Sequence, residues 1–335
     1  MWIRRISAVA ALCFTTTAVA DINLYSSRKE ALIQPLLNQF TEKTGIEVRL
    51  LTGKDDALLS RLKMEGGASP ADLLITADIA RLHRAKEMGL TQPVESTALN
   101  EAIPANLRDS DNHWFGMTSR ARPIIYAKDR VNPEQLSTYE ALTDEQWKGR
   151  ICIRSSSNVY NQSLIASAIA ANGVEATEAW VEGLVANFAR PPAGGDTDQL
   201  KAAAAGVCDI AIANTYYLAR LVRSDKASDN AVADQLAVFW PNQNDRGTHF
   251  NISGAALTAS SKNRVEAVAL LEYMVSQEAQ EWYAEVNNEY PVVAGVESSD
   301  VLKAFGTAKS DNVALSKLGE LNQEALRLMD RAGWK

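Results

Sequence analysis

No run of about 18 consecutive apolar residues occurs in this 335-residue chain, so no segment qualifies as a permanent membrane-spanning helix. Basic residues are in the minority: 34 Lys and Arg against 41 Asp and Glu give a net charge of −7. That balance argues against nucleic acid or an anionic membrane as a partner, while leaving room for a local basic cleft. Histidine is scarce, and His83, His113 and His249 lack the spacing of a metal triad, so structural roles are expected for all three. Gly194-Gly195 is not followed by the Lys-Ser/Thr of a phosphate loop, and Ser155-Ser156-Ser157 lacks a Gly-x-Ser-x-Gly elbow. No nucleophile–base pair is readable, so a secreted hydrolase or lyase is the weakest reading and no catalysis is expected.

What is present starts with the leading segment. Arg4 and Arg5 precede a mostly apolar or small stretch over residues 6–19, and Ala18-Val19-Ala20 forms a small-residue cleavage site before Asp21. This is the pattern of a secretory signal peptide over residues 1–20. Cys13 follows Leu12, where a lipoprotein signal needs a small residue, so no lipid anchor is expected. The remaining 315 residues exceed the roughly 250–300 at which one core stops growing, and two lobes are expected. Two basic residues and no acids leave with the signal, taking the net charge to −9. Cys152 and Cys208 then remain. An even pair in an oxidising compartment suggests a disulfide, with two buried free thiols as the alternative. Each lies in a short apolar run fit to be one of two neighbouring strands.

Strand and helix patterns alternate. Residues 22–25 read as a strand, with Ser26 or Ser27 placed to cap a helix through Leu32, Leu36, Leu37 and Phe40 that stops at Gly45. A strand over 46–51 precedes a helix bearing Leu58, Leu59 and Leu62. A buried strand over 71–76 is followed by Asp78 as cap of a helix over 79–88. The grammar restarts with a strand over 151–153, a Ser-rich turn and a helix through Leu164 and Ile165, then a helix around 180–188. A helix over 198–205, a strand over 209–213 and a helix from about Thr215 follow. The order implies an α/β fold with mainly parallel sheets flanked by helices, and ligands in such folds bind beyond the carboxyl ends of strands.

Two such strand ends carry tyrosines. Asn214-Thr215-Tyr216-Tyr217 and Ser155-Ser156-Ser157-Asn158-Val159-Tyr160 each run from a strand end through a capping turn into a helix start. A phenol has a pKa near 10 and ligates as phenolate only beside strong positive charge. Fe³⁺ supplies that charge, the helix dipole favours the anion further, and three phenolates balance a trivalent ion. The pattern by itself also fits tyrosines that simply pack with a hydrogen-bonded hydroxyl.

Further motifs lie along residues 21–335. They are Leu24-Tyr25-Ser26-Ser27-Arg28, Ser69-Pro70-Ala71-Asp72, Trp114-Phe115-Gly116, Thr118-Ser119-Arg120-Ala121-Arg122 and Trp147-Lys148-Gly149. Gly247-Thr248-His249, Asn251-Ile252-Ser253-Gly254 and Glu289-Tyr290-Pro291 follow. With the two tyrosine segments, and in this order, the chain resembles the periplasmic ferric iron-binding proteins of bacterial ABC importers, in their tyrosine-rich branch. The resemblance implies a two-lobed, transferrin-like (type II) periplasmic binding fold with the ligand cleft between lobes. The first lobe would take residues 21–118 and about 247–290, the second about 119–246 and 291–335. It implies Tyr160, Tyr216 and Tyr217 as metal ligands and Arg120 as the contact for a synergistic anion such as carbonate. Arg122, Ser155 and Asn158 are further anion candidates, and Arg28 and Arg220 are candidates around the metal. Each arginine also fits a structural ion pair. Tyr25 matches a position that does not ligate, so packing is expected of it. Cargo would be Fe³⁺, with Fe²⁺ as the alternative, carried by a monomer to an inner-membrane permease and its ATPase. A receptor for an oxyanion or small organic anion is the competing reading. The pattern breaks in the first lobe. Relatives place a histidine or tyrosine where this chain has Lys29-Glu30-Ala31, and some carry a glutamate where it has Ala77. Glu30 is the substitute on offer there, although an exposed helix-start acid is the commoner role.

Overall fold

A computed structural model describes residues 21–335; the expected signal peptide lies outside the described residues. Ten strands form two sheets. In chain order they are β1 (Ile22–Ser26), β2 (Val48–Thr52), β3 (Leu73–Thr76), β4 (Phe115–Ala121) and β5 (Ile124–Ala127). Then come β6 (Ile151–Cys152), β7 (Ile210–Ile212), β8 (Leu236–Phe239), β9 (Phe250–Leu257) and β10 (Tyr290–Pro291). The first sheet has the order β10-β4-β9-β3-β1-β2 and the second β6-β7-β5-β8.

Both sheets are mixed rather than mainly parallel. β1, β2 and β3 run parallel, as do β6 and β7, whereas β4, β5, β8, β9 and β10 all pair antiparallel to their neighbours. The reason is the crossing between lobes. β4 passes straight into β5 across Arg122-Pro123, and β8 returns to β9, so the traversing strands lie side by side in opposite senses. β4 stays in the first sheet to Ala121, which pairs with Phe250, so Ser119 and Arg120 belong to that sheet rather than to the second. The Tyr139 hydroxyl ties the two crossings together: it donates to the Arg122 carbonyl at 2.7 Å and accepts from the His249 amide at 3.2 Å.

The local grammar mostly holds. Helix Gln34–Thr44 buries Leu36, Leu37 and Phe40 and ends on Gly45 at φ +73°, a left-handed cap that glycine adopts without strain. Its start is displaced, however. Pro35 occupies the first turn and Leu32 falls in the preceding 3-10 turn Glu30–Leu32, so neither Ser26 nor Ser27 caps it. Ser26 instead accepts from the Arg28 amide and Ser27 from the Ala77 amide. Asp78 caps helix Ile79–Glu87 as expected, accepting from Ala80 at 3.0 Å. Helix Leu315–Glu320, the next to last, packs on helix Ile79–Glu87 of the first lobe as well as on Val159–Asn172 of the second. It is thus shared between lobes, and Gly319 permits the seat: a Cβ there would meet the His83 side chain at 2.4 Å. No helix among the described residues is long and apolar enough to cross a membrane.

Candidate metal centre

β6 and β7 are adjacent and parallel, Cys152 lying opposite Ala211, and a disulfide joins Cys152 to Cys208 across 5.8 Å between Cα atoms. The staple therefore holds together the two strands whose ends carry the tyrosines. Beyond β6, Asn158 caps helix Val159–Asn172 by accepting from the Tyr160 amide at 3.1 Å, which fixes Tyr160 in the first turn. Beyond β7, Asn214 sits at the N-cap of helix Thr215–Val222 but makes no capping bond. Its side-chain amide donates to the Tyr216 hydroxyl at 3.3 Å and accepts from Arg122 at 3.0 Å. A cap residue is diverted to orient the phenol.

The three phenols are brought together. The Tyr216 and Tyr217 rings lie 4.4 Å apart between centroids, and Tyr160 is close enough to both for the phenols to oppose one another's ionisation. Arginines surround them. Arg120, Arg122 and Arg154 lie 5.4, 5.9 and 5.7 Å from the Tyr160 ring centre, and Arg220 lies 4.8 Å from that of Tyr216. Burial pushes the Tyr160 phenol well above its ordinary value, with Tyr217 and Asp55 adding and Arg120 pulling back. Burial does the same to Tyr216, reinforced by Tyr160 and Tyr217. The free site thus holds these phenols neutral, and they become donors only when a cation displaces their protons.

The arginines divide by commitment. Arg122 is held by Asp196 at 2.8 Å, Asn214 and Asn161 at 2.7 Å, a buried network that leaves only its Nε unpaired. Arg28 is paired with Glu289 at 2.5 Å and with Thr118, facing Tyr216 from the first lobe. Burial alone would raise the Glu289 carboxyl, but Arg28 and Thr118 outweigh it and hold the group below its usual range. Arg120 binds Asp78 at 3.2 Å and the Ala77 carbonyl through Nη2 while its buried Nη1 has no partner. Arg120 lines a closely packed cavity, without room for a water in this closed arrangement, together with Asp78, Tyr160, Asn214 and His249. Ser155 is engaged with Ser157 in the turn before the helix. Glu30 is exposed to solvent in its 3-10 turn, the ordinary place for a helix-start acid. Tyr25 is buried and donates to Glu65.

Sequence reasoning passed over four participants. Arg154, two residues past β6, lies over the Tyr160 ring and close enough to Tyr217 to interact with its charge; its place at a tyrosine-bearing strand end was the available signal. Asp196 anchors Arg122 from 74 residues away and the Asn214 amide from 18, and nothing local announces it. Asp78, recognised as a cap, also accepts from Ser163 at 2.7 Å, joining the first lobe to the helix that carries Tyr160. His249 is indeed buried and paired with Asp311 at 3.2 Å, yet its side also borders the cavity.

The chain is similar to known proteins over most of its length. The family model described as bacterial extracellular solute-binding protein matches residues 36–309. Iron uptake protein A1 of Synechocystis is 50% identical over 315 residues, spanning 94% of this chain and 88% of that protein. A Trichodesmium protein solved in complex with iron and citrate ligands is 55% identical, with a TM-score of 0.91 over 94% of this chain and all of that one. The ferric binding protein of Campylobacter jejuni is 42% identical with the same TM-score and coverage. With the family model spanning most of its length and such relatives covering nearly all of it, the chain belongs to the bacterial extracellular solute-binding proteins.

Proposed function

We propose that this chain is the periplasmic receptor of an iron ABC importer, taking Fe³⁺ into the cleft and handing it to an inner-membrane permease and its ATPase. The observation that carries the reading is the convergence of Tyr160, Tyr216 and Tyr217 from two disulfide-stapled strand ends into a ring of arginines. Displacing protons from phenols that burial has raised needs a hard, highly charged Lewis acid, so Fe³⁺ fits better than Fe²⁺. The unpaired Arg120 Nη1 suits a synergistic oxyanion such as carbonate beside the iron. The names of the relatives, iron uptake and ferric binding proteins, support the cargo, and the Fe(3+)-binding periplasmic protein of Serratia marcescens, 28% identical over 95% of this chain, supports the compartment.

The chain works as an exported monomer and catalyses nothing. Iron docks first on the second lobe, which holds all three phenols, and the lobes close by bending at Arg122-Pro123 and over residues 240–249. Loading the purified protein with a ferric complex should give an orange to red phenolate-to-iron charge-transfer band. Replacing Tyr216 and Tyr217 by Phe should abolish it. A loaded protein without colour, or colour that survives the double substitution, would falsify the ligand assignment.

A further inference from the structure

Three loops of the first lobe meet at the cleft, each leaving the carboxyl end of a parallel strand: Ser27 after β1, Asp55 after β2, and Ala77-Asp78 after β3. They are tied to one another and to the second lobe. Ser27 accepts from the Ala77 amide at 3.1 Å, and Asp78 accepts from Ser163, three residues beyond Tyr160 on the same helix. Within this junction Asp55 opens helix Asp55–Glu65, beside Ser27 and the Ala77 amide. Its Oδ1 is fully buried and has no hydrogen-bond partner. Arg81, the positive charge beside it, is committed to Asp56 at 3.0 Å. A buried carboxylate oxygen without a donor is destabilising and calls for an occupant. The same carboxylate is close enough to Tyr160 for its charge to oppose ionisation of that phenol. Two anions drawn together in a closed, water-poor space repel unless a cation lies between them.

Resting on the iron reading above, we propose that Asp55 is the first lobe's ligand to the metal, its carboxylate meeting from across the cleft the coordination begun by Tyr160, Tyr216 and Tyr217. The chemistry is consistent. A carboxylate is a hard oxygen donor of the kind a hard cation prefers. Three phenolates and one carboxylate exceed the charge of Fe³⁺ by one, and Arg120, Arg154 and Arg220 stand around the site to absorb the excess. Asp55 also fills the gap where Lys29, Glu30 and Ala31 are all exposed. Because it lies on the opposite lobe from the phenols, ligation would couple iron capture to closure: the metal is fully coordinated only when β2's loop reaches the Tyr160 helix.

The test compares wild type, Asp55→Asn and the Tyr216→Phe/Tyr217→Phe double variant, each titrated with ferric nitrilotriacetate and followed by the visible charge-transfer band. Asparagine keeps the shape and removes the anionic donor, and the unfolding midpoint of the iron-free variant should stay at or above that of wild type. Ferric affinity should fall at least ~100-fold, beyond what loss of a group that merely supports a ligand costs. The band should also move, because the metal's donor set has changed. A purely structural role would alter affinity through folding or closure and leave the band where it was. Asp55→Asn with the wild-type band position overturns the proposal. If wild type is coloured, the double tyrosine variant is colourless and Asp55→Asn is unaltered, the Asp55 assignment alone falls. A colourless wild type removes the iron reading and this proposal together.

Discussion

The second lobe brings three phenols to the cleft on two helix starts, whereas the first brings arginines already bound to acids and the carboxylate of Asp55. The tyrosines stand on neighbouring strands locked by a disulfide, so their spacing is set before any metal arrives. On the first lobe the pairs Arg28–Glu289 and Arg120–Asp78 are buried and largely self-neutralised. Breaking such a pair by removing one partner leaves an uncompensated buried charge, so these residues hold the wall in shape. On the proposed reading the difference divides the work, one lobe capturing and the other enclosing. With Tyr160 and Tyr216 held neutral by burial, the site can wait empty at little electrostatic cost.

Removing the capturing side breaks the comparison most severely. In a structural zinc site of four ligands each ligand carries ~3–4 kcal/mol. Loss of two phenolates in the Tyr216→Phe/Tyr217→Phe variant should therefore weaken ferric affinity by ~10⁴-fold or more, as competition titration against a chelator would measure. Acid is the next largest lever. Burial raises the Tyr160 and Tyr216 phenols, so they bind protons in the free protein and release them to the metal. Iron affinity should fall as pH falls, by up to ~10-fold per pH unit for each proton displaced. A pH-stat titration finding no proton release would remove the phenolate assignment.

The staple comes third. With Cys152 and Cys208 separated by 56 positions in sequence, chain-entropy arguments give about 4 kcal/mol of stabilisation. The Cys152→Ser/Cys208→Ser variant should show that loss in urea unfolding and a weaker iron site beside it. Arg154→Ala should cost ~10–100-fold in affinity, the range for groups that orient a ligand, because Arg154 lies over the Tyr160 ring and close enough to Tyr217 to interact with its charge. Ser163→Ala is the mildest. Asp78 keeps Arg120 and Asn251 as partners, so losing the bond across the lobes should shift closure by only about 1 kcal/mol, read by small-angle scattering of iron-free protein.

The strand-then-helix order was legible because each element carries its own period and its own caps. Asp78, Asn158 and Gly45 fall where their chemistry places them. The mixed sheet direction was not, since it follows from how β4 and β9 cross between lobes rather than from any local run. Ser26 and Ser27 show the same limit: capping residues by type, they serve the loops of the cleft because Pro35 moved the helix start.

Sequence by itself determined the alternation of elements and the two tyrosine-bearing helix starts, and it suggested the pairing of the two remaining cysteines. All of these depend on residues within a turn or strand of one another, or on simple count. Only the tertiary structure decided which arginines are spent. Asp196 reaches Arg122 from 74 residues away, Glu289 reaches Arg28 from 261, and Asp55 is left with a buried oxygen unpaired. Charge compensation acts through space and falls off with distance and solvent, not with position along the chain. A linear pattern therefore names the donors but not their partners.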